Sequence, residues 1–149
     1  MSVSGHYIFV IKVSQRWKFS EYTLPHDGAG VISRWIQELD DKVQAEFDAR
    51  LLIWAANDKW LDFYKGLDEL DEHGERFEPL TKIGEIPVIV DGVLYRILGV
   101  HFEVWEFVML IGYSDDQRHA AVPKEVQESL RERLLDLIQN PHHRQDYEI

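Results

Sequence analysis

Ile86-Pro87-Val88-Ile89-Val90 and Val93-Leu94-Tyr95-Arg96-Ile97-Leu98, joined by Asp91-Gly92, decide the fold. Both runs are rich in β-branched and aromatic residues, and Asp-Gly between two such runs suits a two-residue type I′ hairpin. Pro87 cannot donate to a ladder, so the first strand must begin there or lie at a sheet edge. On the second strand Arg96 alternates with Leu94 and Leu98, which places a guanidinium on a face shared with apolar side chains. Such a cation needs an anionic partner or ligand. A carboxylate of the fold, Glu85 or Glu103, is one alternative and a bound anion is the other.

Working outward, Val104-Trp105-Glu106-Phe107-Val108-Met109-Leu110-Ile111-Gly112-Tyr113 reads as the next strand, central and buried on both sides towards its end. After a polar loop, Pro123 opens a helix in which Val126, Leu130, Leu134, Leu137 and Ile138 form an apolar stripe, and Asn140-Pro141 ends it. The remainder, residues 140–149, is expected to be a frayed tail. Towards the N-terminus, Tyr7–Val13 and Trp17–Tyr22 read as two strands, and Pro25-His26-Asp27-Gly28 as a loop. Val31, Ile32, Trp35, Ile36 and Leu39, then Val43, Phe47, Leu51, Leu52, Trp54 and Ala55, recur at helical spacing. Asp41 followed by Gln44 looks like an N-cap and its partner, so this region is two helices or one with a break. Asn57-Asp58 could cap a further helix carrying Trp60, Phe63, Tyr64, Leu67 and Leu70. The order segregates helices from a mainly antiparallel sheet, which is an α+β domain.

The chain has 149 residues, enough for one domain that buries roughly 68–70% of its unfolded surface. We therefore take residues 1–149 as a single domain. The absence of cysteine excludes disulfide scaffolds, Cys-ligated metal sites and thiol nucleophiles. No apolar run approaches the roughly 18 residues of a membrane span, and the opening residues lack a basic signal region, so a soluble cytoplasmic protein with no membrane role is expected. The net charge of −11 disfavours unaided binding to a nucleic-acid backbone. The charge is uneven, with residues 1–36 at +2, 37–78 at −8, 79–117 at −4 and 118–149 at −1. The acidic helix faces over Glu38–Glu78 are solvated surface or a contact for a basic partner.

Several of these pieces, in this order, resemble the RelE/HigB-like toxin superfamily of type II toxin–antitoxin systems. Trp17–Tyr22 followed by Val31–Leu39 is similar to the family's first strand and helix, and Glu46–Leu51 to its second helix. Gly84-Glu85-Ile86 with Asp91–Gly99 resembles its Tyr-Arg hairpin, Phe107–Tyr113 the strand that follows, and Pro123–Val126 the start of its last helix. The similarity spans residues 17–139, with residues 1–13 as an extra N-terminal strand. It implies a RelE-like α+β fold, with a mainly antiparallel sheet, N-terminal helices packed on one side and a C-terminal helix.

The resemblance also implies a function: a cytoplasmic toxin that cuts messenger RNA on the ribosome and is neutralised by an antitoxin, here expected to be of helix-turn-helix type. In that chemistry the RNA 2′-hydroxyl attacks its own phosphate and cations stabilise the phosphorane, with no metal or cofactor. The carried-over catalytic residue is Arg96, which contacts the phosphate in the family. Arg118 and His119 could assist, His119 as acid or base near its ordinary pKa of about 6.5. Lys82 and Tyr113 are the implied RNA contacts. Two departures stand out. Glu85-Ile86-Pro87 replaces a family arginine, and Tyr113-Ser114-Asp115-Asp116 replaces a basic cluster with carboxylates that repel phosphate.

Two functions from different classes follow. The first is a toxin-like, ribosome-dependent messenger-RNA endonuclease. The second is the same fold retained as a protein-binding module after loss of nuclease residues. The opening strand could pair within the chain or across a homodimer. His101, Glu103 and Glu106, or Asp115, Asp116 and His119, can be drawn as metal sites, but neither set has a recognised ligand spacing, and no metal site is expected.

Overall fold

The computed structural model describes residues 17–56, 83–116 and 122–149. The expected strand over residues 7–13 and the helix expected from Asn57 to Gly74 lie outside the described residues, as do Lys82, Arg118 and His119. Elements in chain order are β1 (Lys18–Tyr22), α1 (Val31–Gln37), α2 (Asp41–Ala56), β2 (Ile83–Val90), β3 (Val93–His101), β4 (Glu106–Asp115), α3 (Lys124–Gln139) and β5 (Arg144–Asp146). The strands form one sheet in the order β2-β3-β4-β1-β5. Among the described strands only the β1–β4 pairing is parallel, so the architecture is α+β with a mostly antiparallel sheet.

The hairpin takes the form its turn residues require. Asp91 and Gly92 both have positive φ, 51° and 81°, the left-handed pair of a type I′ turn, and Val90 pairs directly with Val93. Pro87 sits in β2, the edge strand among those described, where a missing N–H costs no ladder bond. The register of β3 against β4 shifts between Leu98 and Gly99: Leu98 faces Ile111 and Gly99 faces Met109, so Leu110 is an extra residue in β4. Its carbonyl accepts from Arg133 of α3 at 2.7 Å, which ties the irregular position to the C-terminal helix.

Two neighbouring residues of β1 show how the layers are arranged. Glu21 and Tyr22 point to opposite faces, as consecutive strand residues must. Glu21 accepts from the backbone of α1, at Ile32 and Ser33, whereas the Tyr22 hydroxyl donates to Asp136 of α3. The N-terminal helices and α3 therefore cover opposite faces of the sheet. Trp35 of α1 packs so closely over Gly112 of β4 that a Cβ there would lie 2.3 Å from its ring. Phe19, Phe47, Phe107, Met109, Ile97, Leu98, Leu130, Leu134 and Leu137 belong to the buried core.

Three expectations need correction. Residues 144–146 are not frayed: they form β5, antiparallel to β1, with Thr23 N–H donating to His143 O and Tyr147 N–H to Phe19 O beyond the strand ends. Ion pairs and main-chain bonds to distant residues hold this polar segment in place. Second, the doubly buried part of β4 is its beginning, Glu106–Leu110, because Ile111, Gly112 and Tyr113 are only half-buried. Third, the break between α1 and α2 is real, but Gln44 does not complete a cap with Asp41. Its side-chain amide donates instead to Leu39 O at 2.9 Å, closing the turn between the helices.

Candidate functional site

Arg96 and Tyr113 are directly opposite each other on β3 and β4, so their side chains leave the same face of the sheet. Pro87 lies opposite Arg96 on the other flank, which puts Glu85, two residues earlier on β2, diagonally within reach of the guanidinium. Arg96 Nε donates to Glu85 Oε2 at 2.6 Å, and Nη2 donates to the same oxygen. Nη1 donates to the Tyr113 hydroxyl at 2.6 Å. The carboxylate partner that the alternation of Leu94, Arg96 and Leu98 called for is therefore Glu85. Glu103 instead ion-pairs with Arg144.

Arg96 is 5% exposed, and its partners Glu85 and Tyr113 are only part-buried. Burial pushes the Tyr113 phenol above its ordinary value, and Arg96 beside it acts in the opposite direction. Because the hydroxyl accepts from Arg96, its own proton is a further donor at the site. Asp115 leaves β4 on the same face as Tyr113, is buried, and adds negative charge beside the phenol. The structure thus brings together Arg96 and Tyr113 of the expected site residues. Lys82, Arg118 and His119 are outside the described residues.

Of the two candidate metal sets, only His101, Glu103 and Glu106 lie wholly within the described residues. His101 stacks on Trp17 with ring centroids 4.8 Å apart and meets Phe107 edge-on at 5.5 Å. Burial holds its pKa below the ordinary value. Glu106 accepts from Ser20 Oγ at 2.6 Å and, through both oxygens, from Arg144 Nε and Nη2 at 2.9 and 3.2 Å. Among the described residues no group of three or more His, Asp and Glu side chains is placed to hold a metal ion.

Two buried carboxylates have structural roles that the sequence did not reveal. Glu21, 1% exposed, accepts from Ile32 N–H, Ser33 N–H, Ser33 Oγ and Gln145 Nε2. It caps α1, whose own N-cap is Gly30 and whose first turn has no acidic residue. That combination is the signal that could have pointed to a cap from another element. A Cβ at Gly30 would lie 2.3 Å from the Glu21 carboxyl carbon, so any larger residue there would push the carboxylate away from its donors. Glu106 with Arg144 is the second case. A hollow of about 300 Å³ beside Glu21 is lined by Ser33, Gln37, Gln145 and Tyr147 among others.

No helix among the described residues is long and apolar enough to cross a membrane. No family model, curated protein or solved structure matches the chain.

Proposed function

We propose that this protein is a toxin-like member of a type II toxin–antitoxin module, of RelE/HigB-like kind, that acts as a protein-binding module and does not cut RNA. One observation carries the choice. Arg96, the residue to which the resemblance gives the scissile phosphate, is buried with Glu85 and Tyr113 on its donors. A guanidinium already neutralised by a fold carboxylate offers little stabilisation to a phosphorane, which needs cations free to meet the developing charge. Asp115 and the net charge of −11 act in the same direction.

The order of a strand, two helices, a hairpin, a central strand and a C-terminal helix supports the toxin-like part of the reading. The partner it calls for is an antitoxin-type protein with a basic docking segment, because complementary charge steers encounter and sets orientation on an acidic protein. The second reading, a ribosome-dependent endonuclease, is favoured by the direct contact of Arg96 with Tyr113, two of the residues that the resemblance puts at the RNA.

The test adds purified protein to a bacterial translation extract and maps 5′ ends on a reporter message, beside Arg96→Ala and a competent family nuclease. The expected result is intact messages with this protein and cut messages with the control. Ribosome-dependent cuts that disappear in Arg96→Ala would replace the binding reading with the nuclease one.

A further inference from the structure

The Glu85 carboxylate lies where an external ligand would have to bind. One of its oxygens takes two donors from the Arg96 guanidinium, and the third donor direction of that guanidinium leads to the Tyr113 hydroxyl. Fork-like donation from Arg onto a single oxyanion, with a phenol alongside, is how proteins recognise carboxylates and phosphates. The Glu85 side chain is 17% exposed and that of Arg96 is 6%, so the carboxylate partner is the more solvent-accessible member of the pair.

We propose that Arg96 and Tyr113 form an oxyanion-binding site whose resident occupant is the protein's own Glu85, an autoinhibitory contact that keeps the site closed. The inference rests on the proposed function above, in which Arg96 is withheld from RNA. It adds that a single side chain does the withholding. A tethered carboxylate competes at the high effective concentration of an intramolecular ligand, so dissolved anions do not displace it. Removing the tether leaves Arg96 and Tyr113 ready for a small oxyanion.

Glu85→Ala makes this testable because the fragment it removes is, atom for atom, acetate. Thermal unfolding of the wild type, Glu85→Ala, and Glu85→Ala combined with Arg96→Met would be compared in sodium acetate, in inorganic phosphate, and in sodium chloride at matched ionic strength. The expected result is that acetate or phosphate raises the midpoint of Glu85→Ala by about 3–6 °C at tenfold above its dissociation constant. The wild type and the double variant should show no such rise. Should Glu85→Ala not fold, Glu85→Ser also vacates the carboxylate position while keeping a polar side chain on the strand, and a phosphate titration followed by NMR should shift the Arg96 Nε–H and Tyr113 ring signals.

An equal response in the double variant, or the absence of any anion effect in both Glu85 variants, would overturn the site. Message cutting by the wild type would instead overturn the binding reading, so the two failures are distinguishable. Rescue by acetate alone would restrict the site to carboxylates, and rescue by both would assign it to oxyanions including phosphate.

Discussion

The buried Glu21 and the half-buried His101 show how much single groups contribute to this protein. Glu21 stands in for the missing N-cap of α1, accepting from Ile32 and Ser33 across the strand–helix gap. Glu21→Ala should cost about 1–3 kcal/mol for each N–H left buried without an acceptor. Glu21→Gln retains an acceptor oxygen and should cost less, and urea denaturation of the two variants checks the order. His101 works through pH. Burial lowers its pKa from the ordinary 6.5, so the unfolded chain binds a proton that the folded chain resists. Its contribution is fully present above about pH 6.5 and is lost as pH falls towards the folded value. Stability measured between pH 7.5 and 5 should therefore decline, and His101→Phe should flatten that part of the curve.

At the scale of elements, β5 is the part of the fold whose stability is most open to test. Its residues are polar, and what fixes it is Arg144 on the buried Glu106, Gln145 on the buried Glu21 and pairing along β1. Arg144→Met would leave Glu106, 4% exposed, without its cation. Breaking a buried pair from one side costs about 3–5 kcal/mol, whereas Lys18→Met, which removes only the exposed pair with Asp146, should cost no more than about 1 kcal/mol. Chemical denaturation of both variants measures the contrast. The same facts explain what was legible in the sequence. The β2–β3 hairpin carries its signal locally in Asp91-Gly92, and α3 carries its own in Pro123 and the leucine stripe. The β5 segment has no local signal, because Glu21 and Gln145 are 124 positions apart. A polar stretch after a helix stop therefore looks like a free end. The extra residue at Leu110 was hidden for a related reason: a bulge is defined by its partner strand and leaves no mark on its own composition.

For the whole molecule, charge sets which encounters are productive. With −11 overall, association with a basic partner should slow steeply as salt rises, while its dissociation rate changes little. Stopped-flow association at two ionic strengths, using a basic segment of the proposed partner, would measure this. The candidate site was half legible. Alternation with Leu94 and Leu98 was enough to show that Arg96 needs an anion, but choosing between Glu85 and Glu103 required the three-dimensional register, which puts Glu85 diagonal to Arg96 and brings Glu103 to Arg144. The functional account turns on that choice. A double-mutant cycle tests it most directly, with Glu85→Ala, Arg96→Met and the double variant unfolded in urea. If Arg96 is committed to Glu85, the double variant loses less than the sum of the single losses, with a coupling of about 1–3 kcal/mol. Additive losses would mean that the pair does not exist in solution, and that Arg96 is available to an external phosphate after all.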